Sequence, residues 1–257
     1  MRAIVVAALL LGSIPGSPRQ TPAPEPITVS AAVSLTEVLQ EVAKAYGQTG
    51  GGTVRFNFSA SNVLARQIVD GAPVDLFISA DEAQMDVVAK AGLLADGSRI
   101  DLLGNRLAIV VSPERQRVLS GVRDLIDPSF KRIAIGDPSG VPAGGYAKQA
   151  LERAQIWDQV QPRLVLSASA RAALGAVDAG NADAAIVYRT DTRVAKRAVV
   201  VWIAPIWEGP RIVYPAALIK GGSAQAQARR FLDFLRSATA TRVFEQFEFI
   251  PVDSRRK

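Results

Sequence analysis

The sequence predicts an α/β protein made of two similar halves. From residue 27 onward, short apolar runs of strand length alternate with amphipathic stretches of helix length. This alternation begins a second time near residue 107. About 230 residues follow the N-terminal segment, which is enough for two lobes of roughly equal size. Strands that alternate with helices favour a mostly parallel sheet in each half.

The order of the predicted elements supports this class. In the first half, the strands are 27–33, 54–58 and 75–79, and the helices that follow them are 35–46, 63–69 and 82–91. In the second half, the strands are 107–111, 133–135, 164–166 and 184–187, with helices at 146–154 and 171–179. The chain then continues through apolar runs at 199–203 and 212–219 to two closing helices at 224–236 and 240–247.

Composition removes several classes of chemistry. The 257 residues are 49% hydrophobic and 21% charged, which is ordinary for a globular protein. Cysteine and histidine are both absent. Their absence excludes thiolate or imidazole metal sites, disulfides, and catalysis by a Ser-His-Asp or Cys-His arrangement.

The net charge of +6 raises the question of a nucleic-acid partner. The basic residues are scattered in short groups among Asp and Glu, without the aromatic residues that stack on bases. We therefore expect no nucleic-acid binding.

The N-terminus is typical of an export signal. Arg2 precedes an apolar run at 3–11, small and turn-forming residues end the run, and a proline-rich stretch follows up to residue 26. A buried first strand or helix is the competing interpretation. The run is too short for a membrane-spanning helix and no cysteine follows it, so we expect a periplasmic protein with neither membrane insertion nor a lipid anchor.

Four predicted strand-to-helix junctions carry polar donors. Ser34 and Glu37 have the spacing of a capping box, and Ser61 opens the next helix. A loop rich in glycine and proline at 137–145 precedes the helix at 146, and the segment 167–170 (SASA) opens another helix. Ligands of open α/β sheets bind beyond the carboxyl ends of the strands, where helix N-termini offer free N–H groups. Because these junctions contain few charged side chains, we expect a site for a small, fully ionised oxyanion.

Three carboxylates offer a different interpretation. Asp75, Asp81 and Asp137 could form a metal site. Asp81 and Asp137 lie where Asp favours helix capping or turns, so we expect no directly coordinated metal.

Seven segments resemble the periplasmic molybdate-binding proteins of ABC transporters. They are 31–36 (AAVSLT), 64–68 (LARQI), 71–81 (GAPVDLFISAD), 102–105 (LLGN), 136–138 (GDP), 141–144 (VPAG) and 186–188 (IVY). The similarity runs in order from residue 27 to 252. The chain departs from the family's pattern at Val33, Asn62 and Ala170.

The resemblance implies a specific binding site. Ser34 and Ser61 would bind oxyanion oxygens through their hydroxyl and backbone N–H groups, and Tyr188 would do so through its phenol. Ala143 and Ala170 would donate backbone N–H groups. The ligand would be molybdate or tungstate, with no cofactor and no catalytic residue.

The resemblance also implies an organisation and partners. One lobe would comprise 27–105 and 206–257, the other 106–205, with two crossing strands near Leu107 and Ile212 as a hinge. We expect a monomer that delivers its ligand to a membrane permease with a partner ATPase. Two alternatives stay open: a binder of another tetrahedral oxyanion such as sulfate, and an enzyme acting on small anionic metabolites with Tyr188 and a lysine as acid and base.

Overall fold

A computed structural model describes residues 25–252 of the chain, so nearly all of the expected export signal lies outside the described residues. The strands within this range are β1 (Ile27–Ala32), β2 (Val54–Ser59), β3 (Leu76–Ile78), β4 (Ile100–Asn105), β5 (Leu107–Val111), β6 (Ile133–Gly136), β7 (Leu164–Ser167), β8 (Ala184–Tyr188), β9 (Val199–Ile203), β10 (Ile212–Leu218) and β11 (Ile250–Pro251). The α-helices are α1 (Thr36–Gln48), α2 (Ser61–Val69), α3 (Glu82–Lys90), α4 (Pro142–Arg153), α5 (Trp157–Val160), α6 (Ala170–Asp178), α7 (Gln225–Phe234) and α8 (Ala238–Gln246).

The strands form two sheets, and each sheet is the centre of one lobe. The first lobe contains a six-stranded sheet of order β11-β4-β10-β3-β1-β2. The second lobe contains a five-stranded sheet of order β7-β6-β8-β5-β9. The described chain passes between the sheets twice, from β4 to β5 and from β9 to β10. The predicted α/β class with two lobes is therefore confirmed.

Both sheets are mixed, whereas the sequence predicted mostly parallel ones. Strands joined by helical crossovers are parallel, as in β1 with β2 and β3, and in β6 with β7 and β8. Strands β5 and β10 arrive from the other lobe without such a crossover, and they pair antiparallel with their neighbours. The alternation of strands and helices along the chain does not reveal this reversal.

Fully buried strands lie in the interior of both sheets. All residues of β5, β8 and β10 are buried, and they are almost entirely apolar. Amphipathic helices pack on these sheets with their apolar faces, for example α6 through Ala173, Leu174 and Val177. Strand ends and helix N-termini of both lobes line one cleft between the lobes. Within residues 25–252, no helix is long and apolar enough to cross a membrane.

Candidate functional site

A small cleft between the lobes brings together all five residues that the resemblance implied. Its volume is about 20 Å³, which is room for about one water molecule. Residues of both sheets line it: Ala32, Val33, Ser34, Ser59, Ala60, Ser61 and Ala80 from the first lobe, and Val141, Pro142, Ala143, Ser169, Ala170 and Tyr188 from the second. No charged side chain is among these lining residues.

Ser34 lies in a 3₁₀ turn directly after β1, and the predicted capping box is wrong. Helix α1 begins at Thr36, and no side chain caps either the turn or the helix. The turn shifts the helix start, so Ser34 and Glu37 do not occupy the two positions that a capping box requires. The Ser34 hydroxyl is instead 3.2 Å from the Tyr214 hydroxyl, and the Ser34 residue is buried at the cleft wall.

Ser61 is the first residue of α2 and is also buried. Its hydroxyl oxygen accepts a hydrogen bond from the Ala80 N–H at 2.9 Å. A hydroxyl that already accepts in this way keeps its hydrogen to donate. The N–H groups of a first helical turn have no acceptor within the helix, so the Ser61 N–H is a second possible donor.

Ala143 lies in the first turn of α4, which begins at Pro142 and not at residue 146 as the sequence predicted. Proline suits the first helical position because its fixed φ matches the helix and the missing N–H has no role there. Glycine allows this helix start to approach the end of β6: a Cβ on Gly144 would lie 2.0 Å from the Gly136 carbonyl oxygen. The close approach brings Ala143 to the wall of the cleft.

Ala170 is the first residue of α6, and Ser169 is its N-cap. The Ser169 hydroxyl accepts a hydrogen bond from the Ala172 N–H at 3.1 Å. The helix predicted at 171–179 therefore begins one residue earlier, inside the segment 167–170 that was expected to open it. The Ala170 N–H is thus a free donor of a helix N-terminus, where the helix dipole favours an anion.

Tyr188 ends β8 and is almost completely buried. Its hydroxyl has no hydrogen-bond partner among the described residues. Burial, reinforced by nearby Tyr214 and Tyr146, raises the pKa of Tyr188 well above its ordinary value, so the phenol is neutral and keeps its hydrogen. A buried hydroxyl without a partner is costly, and a ligand in the cleft would supply the missing acceptor.

A charge cluster beside the cleft was not predicted from the sequence. Arg171 of the second lobe makes two hydrogen bonds to the Glu37 carboxylate of the first lobe, at 3.0 and 2.6 Å. Its Nε also pairs with Asp191, which is fully buried. Burial raises the pKa of Asp191 to about 6, against the lowering effect of Arg171. The sequence did offer one indication of this cluster: both charged residues are close to predicted site residues. Arg171 directly follows Ala170, and Glu37 lies three residues after Ser34.

Each of the three aspartates considered for a metal site accepts hydrogen bonds from a different part of the backbone. Asp75 accepts backbone hydrogen bonds from Thr28 and Ala224, at 2.8 and 2.9 Å. Asp81 caps α3 through the Gln84 N–H, and Asp137 accepts from the Ser139 N–H in a turn. Among the described residues, no three potential metal ligands of the Asp, Glu, His or Cys type form a group.

The fold and this cleft define a two-lobe solute-binding protein. Residues 27–249 match the sequence profile of a family described as bacterial extracellular solute-binding protein. The chain belongs to this family. The chain is 37% identical to the molybdate-binding protein ModA of Escherichia coli (strain K12) over 232 residues, covering 87% of this chain and 88% of the relative.

Two further comparisons agree. The molybdate-binding protein ModA of Haemophilus influenzae (strain ATCC 51907 / DSM 11121 / KW20 / Rd) is 35% identical over 231 residues, covering 87% of this chain and 89% of the relative. The solved structure of the Azotobacter vinelandii periplasmic molybdate-binding protein superposes with a TM-score of 0.79 at 24% identity, covering 88% of this chain and 100% of that one. At this identity, the structural likeness shows the fold alone.

Proposed function

We propose that this protein captures molybdate, and tungstate as well, in the cleft between its lobes. The observation that carries the proposal is the buried hydroxyl of Tyr188, a residue that lines the cleft, because this hydroxyl has no hydrogen-bond partner within residues 25–252. Around the same cleft lie the hydroxyls of Ser34 and Ser61 and the helix-start N–H groups of Ala143 and Ala170. The relatives named for molybdate binding support the choice of ion.

The chemistry of the lining favours a small anion over other solutes. All five groups are uncharged donors, and hydrogen bonds from such donors to a charged oxygen are stronger than those between neutral groups. The cleft volume of about 20 Å³ is small even for a tetrahedral oxyanion, so the lobes would have to separate slightly to admit one and much further to admit a sugar or an amino acid. Because Tyr188 is the only aromatic residue among the lining residues, the cleft also lacks the stacking platform that a sugar favours.

We assign no catalytic activity to the cleft. Its described lining contains neither a lysine nor a carboxylate that could act as a general base. Burial raises the pKa of Tyr188, which opposes removal of its proton at neutral pH. A binding role therefore accounts for the residues better than acid-base chemistry with Tyr188 does.

The lobes would move about the two passages of the chain between the sheets. The first lobe would comprise 27–105 and 206–257 and the second 106–205, with a hinge near Leu107 and Ile212. Closure around the anion would form the surface that a membrane permease with its ATPase recognises. We further propose that the protein is exported by the segment 1–26 and acts in the periplasm as a monomer.

Calorimetric titration with molybdate, tungstate, sulfate and phosphate tests the proposal. We expect tight binding of molybdate and tungstate, with sulfate and phosphate weaker by at least about 100-fold, or about 2.7 kcal/mol. Sulfate affinity equal to that of molybdate would instead identify a binder of smaller tetrahedral oxyanions. Absence of binding for all four ions would refute an oxyanion site.

A further inference from the structure

A chain of three buried polar side chains lies behind the cleft wall of the first lobe. Asn105 ends β4, Tyr214 lies in β10, and Ser34 lines the cleft. The Asn105 Nδ2 is 3.1 Å from the Tyr214 hydroxyl, which is 3.2 Å from the Ser34 hydroxyl. Tyr214 is completely buried, so its hydroxyl can exchange hydrogen bonds only with these protein groups.

The backbone fixes the orientation of the Asn105 amide. Its Oδ1 accepts a hydrogen bond from the Arg106 N–H at 2.8 Å, which only the oxygen side of the amide can do. The Nδ2 side therefore faces Tyr214 and also Thr190, whose Oγ1 is 2.9 Å away. Since an amide nitrogen only donates, the Tyr214 oxygen accepts from Asn105.

The direction of the next hydrogen bond follows from the first. The Tyr214 hydroxyl keeps its own hydrogen, and the Ser34 oxygen is the remaining partner for that hydrogen among the described residues. Leaving the hydrogen unbonded in a fully buried position would be costly. The Ser34 oxygen therefore accepts from Tyr214, and the Ser34 hydrogen points to the cleft.

The Ser61 hydroxyl is oriented in the same way by a single hydrogen bond, because its oxygen accepts from the Ala80 N–H. We propose that Asn105 and Tyr214 are positioning residues that hold Ser34 as a donor, so that both hydroxyls of the first lobe direct their hydrogens to the cleft. Such a pair aims hydrogens at bare oxyanion oxygens and therefore favours them over an oxyanion that carries a proton. The inference rests on the proposed function, in which these hydroxyls bind the anion.

A double-mutant cycle tests whether Tyr214 acts through Ser34. Tyr214→Phe removes the hydrogen that Ser34 accepts and keeps the aromatic ring. We expect molybdate affinity to fall by about 3- to 10-fold in Tyr214→Phe, but to change less than about 2-fold when Ser34→Ala is already present. Thr190→Val is the matched control, because it removes a bond to Asn105 outside the chain to Ser34. It should leave molybdate affinity unchanged.

A comparison of sulfate with phosphate separates the effect of a ligand's proton from the effect of its size. Sulfate and phosphate are similar in size, and near pH 8 both are dianions, but phosphate retains one proton. We expect the sulfate-to-phosphate affinity ratio, measured by competition with molybdate, to fall by about tenfold in Tyr214→Phe, since the freed Ser34 oxygen can accept the phosphate hydrogen. Asn105→Ala should lower the ratio in the same direction, and this second variant is available if Tyr214→Phe does not fold.

The possible failures are distinguishable. If the parent protein binds molybdate and Ser34→Ala weakens that binding, but Tyr214→Phe and Asn105→Ala leave the ratio unchanged, the positioning role is wrong and the proposed function stands. Equal effects of Tyr214→Phe with and without Ser34→Ala would also overturn the positioning role. If the parent protein does not bind molybdate, the proposed function itself fails.

Discussion

The two lobes contribute donors of different kinds to the same cleft. The six-stranded lobe contributes the side-chain hydroxyls of Ser34 and Ser61, and each is hydrogen-bonded to another part of that lobe. The five-stranded lobe presents backbone N–H groups of Ala143 and Ala170, together with one phenol that has no described partner. Side-chain deletion should therefore disrupt the first half of the site, whereas only a change to the backbone or to Tyr188 should disrupt the second.

Ser61→Ala should have the largest effect, because it acts on both binding and stability. Loss of a donor to a charged oxygen costs about 1.5–3 kcal/mol of binding, or roughly 10- to 150-fold in molybdate affinity. The variant also leaves the buried Ala80 N–H without its acceptor, which costs about 1–3 kcal/mol of folding stability. Calorimetry and thermal melting without ligand measure the two effects separately.

Ser34→Ala sharpens that prediction. Its loss of affinity should be similar, and the melting temperature should also fall, because the variant leaves the buried Tyr214 hydrogen without its acceptor although Ser34 caps no helix. If both serine variants bind molybdate like the parent protein, the first lobe does not hold the ligand.

Ala170→Pro tests the backbone half of the site. Proline fits the first position of α6, so the variant should fold normally while losing the Ala170 N–H. We expect a loss of about 1.5–3 kcal/mol in molybdate binding with an unchanged melting temperature. Ala170→Val is the control that keeps the N–H, and it should bind like the parent protein. Parental affinity in Ala170→Pro would show that this N–H does not bind the ligand.

Tyr188→Phe should weaken molybdate binding without lowering the stability of the protein, whereas Ser61→Ala should lower both. The deleted hydroxyl has no described protein partner, so the ligand-free protein should be as stable as the parent or slightly more stable. Molybdate binding should weaken by about 1.5–3 kcal/mol, the value of a hydrogen bond to a charged acceptor. A lower melting temperature with unchanged affinity would mean that the phenol has a structural role.

The smallest expected effect is that of pH on affinity. Tyr188 keeps its proton because burial raises its pKa, and Asp191, with a pKa raised to about 6 by burial, is ionised above pH 7. Molybdate affinity should therefore change by less than about threefold between pH 7 and 9. A tenfold change would reveal a titrating group in the site.

Asp191 should affect stability at lower pH. Its pKa is higher in the folded state than the ordinary value of 3.8, so its contribution to stability is fully present below about pH 4 and is lost as the pH rises through 6. In Asp191→Asn, this part of the pH dependence of unfolding should disappear.

The sequence was sufficient to predict the parts of the molecule that depend on local patterns. Apolar runs located β5 and β9 with the observed bounds, and the segment 167–170 does open a helix, whose cap Ser169 bonds to that same helix. The five site residues came from a resemblance, and the structure places them on one cleft. Their role as ligands remains a prediction.

Features that depend on distant residues were missed. The Ser34 capping box failed because Tyr214, 180 residues away, is the actual partner of the hydroxyl. Glu37 pairs with Arg171 across the cleft, at a separation of 134 residues. Strand β4 was not predicted, since its pattern is weak and its place in the sheet comes from pairing with β10 and β11. Local spacing contains no information about these partners.

A crystal structure of the protein with molybdate tests the central claim most directly. We expect one anion in the cleft, with the hydroxyls of Ser34, Ser61 and Tyr188 and the N–H groups of Ala143 and Ala170 about 2.7–3.2 Å from its oxygens. An anion bound elsewhere, for example against Arg171 and Arg193 in the neighbouring cavity, would contradict the account.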